Sequence, residues 1–449
     1  MIAEGQDFPV KLTSIHIDGA TRTRPGFLQS ATSNLLDSGN PNTQTFKGLL
    51  GEIHRTVNKL QAFDIFRPEI DLDVTATDAI SRKIDGPVSL AAKIGVKERS
   101  RVTFTTGTEI GNLEGSGHIH GTFRNVLGGA ETASFTASTG TRTKASYNAL
   151  FTTPILASPN RLGFVEAFSR SRSNQHYASH DQQEQGVRAG LRFNFPDFRT
   201  TNELSYTLKN RSITSLASDA SATVRAEASD SVLSALEYIY TVDTRDYPML
   251  PSSGNLLRTT AQIAGWFTGV CHTKFEVDSQ FSHTIRPHPQ FPVTFTASAR
   301  GGFLCPFPSH GITEPSHLAD RFILGGPTNV RGFRDGGLGP RDGKDAIGGD
   351  FYTTLGASIL FPIRKNDQGF PLRAMLWGNA GRLCAIDNGG WKAAAKELQN
   401  GLPSIAAGVG LVYGHPSARF ELTFGVPVVA RAGERLRKGF NLGVGIEFL

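Results

Sequence analysis

The chain has 449 residues, 39% hydrophobic and 19% charged, with 49 glycines and a formal net charge of +6. No apolar run of about eighteen residues occurs, which excludes an ordinary transmembrane helix but not a transmembrane barrel, whose alternating strands leave hydropathy nearly blank. Basic residues are dispersed rather than blocked, so nothing points to nucleic acid, and Cys271, Cys305 and Cys384 stand in no disulfide or metal spacing. The first residues carry no apolar segment of the kind that marks a secretory signal.

Taken in order, Lys11–Ile17 alternates and predicts a short strand, turned by Asp18-Gly19. Phe27–Asp37 places Phe27, Leu28, Ala31, Leu35 and Leu36 at helical spacing, and Thr45–Ala62 repeats this with Phe46, Leu49, Leu50, Ile53, Val57 and Leu60. Ile65–Thr75 and Val88–Lys97 return to strand character. This β-α-α-β-β order over residues 1–99 predicts a small α+β domain with helices on one face of a sheet. It resembles the polypeptide-transport-associated domain that precedes the barrel in outer-membrane insertases. An exposed edge of such a sheet is a place for an extended client strand to add.

From Arg101 onward, segments of about ten residues alternate in polarity between Gly, Asn, Asp, Pro and Ser turns. Sixteen strands are expected. They lie near 101–110, 115–127, 130–140, 143–153, 162–171, 185–195, 202–210, 229–241, 254–268 and 272–286, then 291–304, 349–362, 370–380, 403–413, 417–427 and 438–449. In Arg419–Val426, for example, Phe420, Leu422, Phe424 and Val426 oppose Arg419, Glu421 and Thr423. One greasy face and one small or polar face fits lipid outside and water or loop inside. Backbone polar groups in lipid must all pair, so residues 100–449 are read as one closed antiparallel transmembrane β-barrel. A soluble sandwich or propeller also alternates, but its apolar face points inward and no propeller-length repeat is present.

Between the eleventh and twelfth strands lies a glycine-rich stretch, 305–348, with Val330, Arg331, Gly332 and Phe333 at its centre. A long loop without secondary structure inside a compact array is usually functional; a free solvent loop has the same composition. None of the histidines shows metal or triad spacing, although His118 and His120 share a strand face. No cofactor, metal or covalent chemistry is expected, and the chain is read as a non-enzyme.

Several spaced pieces resemble the barrel-assembly insertase superfamily. Val330-Arg331-Gly332-Phe333 is similar to its lumenal-loop hallmark, and Asp243-Thr244-Arg245-Asp246 with Pro251-Ser252-Ser253-Gly254 to a second element at a strand turn. Trp377-Gly378-Asn379-Ala380-Gly381 resembles the strand that receives the loop arginine, with Asn379 where the family carries an acid. Trp377 and Asn379 share a strand face, and Glu421, on the expected inner face nearby, is the candidate counter-charge for Arg331. Asn441, Gly443, Ile446 and Phe448 fit the pattern of a mitochondrial β-signal. The whole resembles the core barrel subunits of the mitochondrial sorting and assembly machinery.

The resemblance implies insertion of β-barrel precursors into the mitochondrial outer membrane, with the N-terminal domain in the intermembrane space. Clients would enter at a lateral gate between the first strand (Arg101, Val102, Thr103, Phe104, Thr105, Thr106, Gly107, Thr108, Glu109 and Ile110) and the last (Asn441, Gly443, Gly445, Ile446 and Phe448). Gly443 and Gly445 either weaken that last strand or accommodate its curvature. The implied partners are β-barrel precursors, peripheral subunits of a sorting and assembly complex, membrane lipid, and a second copy or another barrel. An outer-membrane pore and a protein-secretion channel of the same superfamily are the alternatives.

Overall fold

A computed structural model gives the fold. It describes residues 9–37, 45–77, 87–111, 114–195, 199–265, 271–288, 291–307, 315–363, 372–386, 396, 401–415, 418–445 and 449.

The N-terminal domain consists of β1 (Val10–Asp18), α1 (Pro25–Leu36), α2 (Phe46–Ala62), β2 (Asp71–Ala76) and β3 (Val88–Gly95). In its sheet β3 lies in the middle, parallel to β1 and antiparallel to β2. Helix α1 opens on Pro25, whose missing N–H is harmless in a first turn, and buries Leu28, Ala31, Thr32 and Leu35 at one-face spacing. Helix α2 is capped by Thr45, whose side chain accepts from the Gly48 N–H at 3.2 Å. Leu49, Ile53 and Leu60 form its buried stripe; Leu50, expected there too, is 37% exposed, because it lies one residue round the helix from Leu49. The strand expected from Ile65 begins only at Asp71. Ile65 and Phe66 are buried instead in the core with Leu28 and Leu60, where apolar contact outweighs sheet pairing.

This domain is tied to the next unit by charge and backbone. Arg24 Nη2 donates to Glu131 Oε1 at 2.7 Å, and the Arg24 N–H to the Gly128 carbonyl at 2.8 Å. Asn125 donates to Thr23 Oγ1 at 2.9 Å, and Asp64 accepts from Arg124 and Arg99.

The barrel begins with β4 (Val102–Gly111), β5 (Glu114–Arg124), β6 (Thr132–Gly140), β7 (Thr143–Pro154) and β8 (Arg161–Ser173). After a short helix, α3 (Gln175–Ala178), come β9 (Asp181–Asn194) and β10 (Thr200–Thr214), then α4 (Ala222–Ala226). Next are β11 (Asp230–Asp243), β12 (Gly254–Ala264), β13 (His272–His288) and β14 (Phe291–Pro306). The long loop follows, with a small hairpin of β15 (Arg341–Asp342) and β16 (Asp345–Ala346). The wall ends with β17 (Phe351–Pro362), β18 (Leu372–Cys384), β19 (Ser404–Gly414), β20 (Arg419–Val429) and β21 (Gly439–Gly445).

These make one sixteen-stranded antiparallel sheet in chain order, with the β15–β16 hairpin set apart from it. The expected segments and the observed strands coincide to within a few residues, except at the end. There β21 is followed to Gly445; Ile446 and Phe448 lie outside the described residues. Leu449, expected on the last strand, is buried against the lumenal loop, where its main-chain atoms find partners. Strands β4 and β21, at the two ends of the sheet, lie side by side. Among the described residues no ladder joins them.

Side-chain exposure follows the pleat. On β20, Phe420, Leu422, Phe424 and Val426 face outward while Arg419, Glu421 and Thr423 are buried inside. Phe104 on β4 and Phe440 on β21 are 65% and 72% exposed, because each is paired on one side only and borders the junction on the other. The apolar rows face out and the charged rows face in, as a lipid-embedded wall requires. No described helix is long and apolar enough to cross a membrane.

Candidate functional site: the lumenal loop and the last strand

Glycines let the loop turn back into the barrel. Gly325, Gly326 and Gly332 have φ of 112°, 109° and 85°, in the region that L side chains rarely adopt. At Gly332 space is short as well, since an added Cβ would lie 2.6 Å from that of Ala406. Val330, Arg331 and Phe333 are all at most 2% exposed. Val330 occupies the place where a side chain at position 381 would go, 2.7 Å from an ideal Cβ there, so Gly381 of β18 is what lets the loop approach.

Arg331 meets the wall through three acceptors. Its Nε and Nη2 donate to Glu421 Oε2 at 2.9 and 2.7 Å; Nη1 donates to Asn379 Oδ1 at 3.0 Å and to the Leu449 main-chain oxygen at 2.7 Å. The guanidinium also stands 5.5 Å from the centroid of the Trp377 ring. Trp377 keeps its place on bare backbone: a Cβ at Gly425 or Gly408 would come within 2.5 or 2.8 Å of the ring. Asn379 supplies a neutral carbonyl, and the charge comes from Glu421. That carboxylate is shared, since Arg419 Nη2 lies 2.6 Å from its other oxygen. Among the described side chains here one anion therefore faces two cations, all at most 5% exposed.

The loop backbone pairs with the approach to β21. The Arg437 N–H donates to the Gly332 carbonyl at 2.9 Å, Arg334 N–H to Arg435 O at 3.0 Å, and Arg435 N–H to Gly337 O at 2.9 Å. At the other end of the last strand, the Leu449 N–H donates to Thr328 O at 3.2 Å. Residues 328–337 thus hold the chain both before β21 and beyond it.

The loop has further attachments that the sequence did not single out. Asp320, buried, hydrogen-bonds Arg211 of β10. Burial alone would raise the Asp320 carboxyl; Arg211 beside it outweighs this and holds it below the usual carboxylate range. Asp335 takes Arg142 Nη1 at 2.7 Å and has His176 Nε2 at 3.3 Å. Asp345 accepts from Ser179 Oγ at 2.6 Å and Ser221 N–H at 2.8 Å, and Asp342 from Thr223. The shared signal is an acid within a glycine-rich loop, which does not say which wall it will meet.

The remaining candidate residues fall in four places. Arg101 precedes β4, and Val102, Thr103, Phe104, Thr105, Thr106, Gly107 and Thr108 lie along it. Glu109 and Ile110 pair by backbone with Ser116 and Gly115, their side chains being outside the description. Asn441 points inward, and Gly443 pairs with Glu421 across the β20–β21 ladder. At the β11–β12 turn, Asp246 accepts from the N–H groups of Tyr247 and Ser252, both at 2.9 Å. His120 is hydrogen-bonded by Thr136 and Thr122, and no metal-type cluster occurs among the described residues.

A sixteen-stranded wall, a glycine-rich loop folded into it and a buried arginine are the features to set beside known proteins. The model of the Omp85 superfamily domain matches residues 125–448. A SAM50-like protein of Schizosaccharomyces pombe is 35% identical over the whole of this chain and 93% of its own length. The chain belongs to the Omp85 superfamily, in its sorting and assembly machinery component 50 branch. The human sorting and assembly machinery component 50 homolog is 30% identical, again over the whole chain and 92% of its own length. In fold, the chain resembles BamA from Haemophilus ducreyi lacking POTRA domains 1–3, with a TM-score of 0.77 at 13% identity over 97% of this chain and 84% of that one. Family and fold agree on a transmembrane β-barrel with a small N-terminal α+β domain.

Proposed function

We propose that this Omp85 family member inserts and folds β-barrel precursors into the mitochondrial outer membrane through the junction between β4 and β21. The observation that carries the reading is that junction: two strands side by side at the ends of the sheet, with no ladder between them among the described residues. In hydrocarbon an unpaired N–H or C=O costs several kcal/mol, so a client's terminal strand gains by pairing with a free edge. The edge of β4 runs over Val102–Gly111, beside the described part of β21 at Gly439–Gly445. When the client strand pairs with β4 and displaces β21, ladder bonds are exchanged for bonds of the same kind. The step therefore needs no external energy source and no covalent chemistry.

The loop supplies the control. It holds both approaches to β21 from inside while Arg331 fixes it to Glu421 on the neighbouring strand. The last strand can then leave its place and return without losing its tether. A pore would gain nothing from a lumen crossed by a pinned loop. Peripheral subunits of a sorting and assembly complex, lipid, and a second copy or another barrel are the further partners of this reading. The N-terminal domain, held at the β5–β6 turn by Arg24 and Glu131, would stand in the intermembrane space and meet precursors there.

Depletion in living cells tests the proposal. Newly imported barrel precursors of the outer membrane should accumulate unassembled, while helical membrane proteins are unaffected. Normal assembly of those barrels after depletion would refute it.

A further inference from the structure

Around the sixteen-stranded cylinder, β10 is the seventh strand and β20 the fifteenth, so Arg211 and Glu421 stand on opposite walls. The loop touches both: Asp320 meets Arg211, and Arg331 meets Glu421. We propose that the Arg211–Asp320 pair is the second anchor of the lumenal loop, making the segment from Asp320 to Arg331 a strut across the barrel. Both residues are positioning residues, acting through the loop on the last strand.

Dimensions agree. Sixteen strands at about 4.8 Å spacing and about 40° tilt make a wall roughly 30 Å across. From Asp320 to Gly326 the chain reaches up to about 20 Å when extended, the turn closed by the Gly326 N–H on the Phe333 carbonyl at 3.2 Å keeps Arg331 near that end, and the two arginine side chains add the remainder. Burial makes the pair consequential. Arg211 is 1% exposed and Asp320 6%, and among the described residues Nε and Nη2 of Arg211 have no hydrogen-bond partner. Removing either partner leaves a charge in a place that water does not reach. The site is also reinforced from β13. Lys274 Nζ donates to the Asp320 carbonyl at 3.2 Å, lying 4.5 Å from the Phe322 ring centroid, and His272 Nδ1 is 3.9 Å from the carboxylate. Hence the start of the strut is held by side chain, backbone and ring, while its far end holds the last strand.

The inference deepens the insertase reading and rests on it only for the consequence at the junction. Its test needs no client. In full-length protein in lipid nanodiscs, with Cys271, Cys305 and Cys384 replaced by Ala, a single cysteine at Asn329 reports access to the strut. A water-soluble maleimide should label it slowly. Asp320→Asn and Arg211→Gln should each raise the rate at least about tenfold, the double variant should exceed neither, and Arg211→Lys should stay near the parent. Circular dichroism and heat-shifted migration check that the barrel is intact in each.

Rates within about twofold of the parent in both single variants, or effects that simply add, would overturn the strut. Precursor assembly by the same variants is scored separately. Slowed assembly supports the link to the junction. Normal assembly with a freed loop overturns that link and leaves the strut standing.

Discussion

Replacing Glu421 by Gln probes the loop where its charge is concentrated. The side chain keeps its shape, but Arg331 and Arg419, 2.7 and 2.6 Å from its oxygens, then share a neutral amide. Breaking one member out of a buried ion pair costs about 3–5 kcal/mol. The amide still accepts one hydrogen bond, so the lower end, about 3 kcal/mol, is the expected loss of docking energy. At about 1.4 kcal/mol per decade, that multiplies the undocked fraction by roughly a hundred. Arg331, 2% exposed while docked, gives trypsin a site once the loop leaves the lumen. When opening is fast relative to cleavage, the rate follows the open population. Glu421→Gln in nanodiscs should therefore be cut in the loop up to a hundred times faster than the parent. Arg419→Met, which leaves Glu421 to Arg331 alone, should change it little. Equal cutting of parent and Glu421→Gln, with the barrel intact, would refute the idea that this carboxylate holds the loop.

Gly332→Ala should destabilise loop docking by about 2–4 kcal/mol, from a left-handed alanine and a crowded Ala406 together; a trypsin profile identical to the parent's would contradict it. Acid should release the Asp335 latch: burial would raise this carboxyl, but His176 and Arg142 outweigh it and hold it below its ordinary value. A group depressed in the folded state contributes in full above its unfolded value, near 4, and loses that contribution as pH falls through the folded one. Ion conductance through the lumen should accordingly be low and flat from about pH 8 to 5 and rise below about 4, with Asp335→Asn already raised at neutral pH; a step near pH 6.5 instead would assign the latch to a histidine. Arg24→Ala should loosen the N-terminal domain from the β5–β6 turn, seen as faster hydrogen exchange at Gly128 and Gly129, and unchanged exchange there would show that the Glu131 contact is idle.

Alternation made most of this wall legible in the sequence, because each strand has lipid on one face and lumen on the other. On β20 parity alone placed Glu421 inside, on the same side as Trp377 and Asn379 of β18. The helices of the N-terminal domain were legible for the same reason at a different period, down to Leu50, where the width of the apolar stripe misled. What pattern does not carry is which distant residues meet. Arg211 and Asp320 are 109 residues apart, and nothing local to either says that the loop will cross to β10. No sequence pattern marks the stretch around Arg435 and Arg437, yet its backbone is the partner of Gly332, Arg334 and Gly337. Leu449 falls on the inward parity of Asn441 and Gly443, but parity does not say that its main chain will meet Thr328 and Arg331 of the loop.

The central claim is that a client strand pairs at the junction of β4 and β21. Single cysteines along 102–108 and 439–445, each paired with single cysteines along the terminal strand of an imported precursor, test it by disulfide formation in intact mitochondria. The account predicts cross-links to both strands in register, each moving two residues on the client for two on the wall. Cross-links confined to lumen-facing positions away from both strands would contradict it.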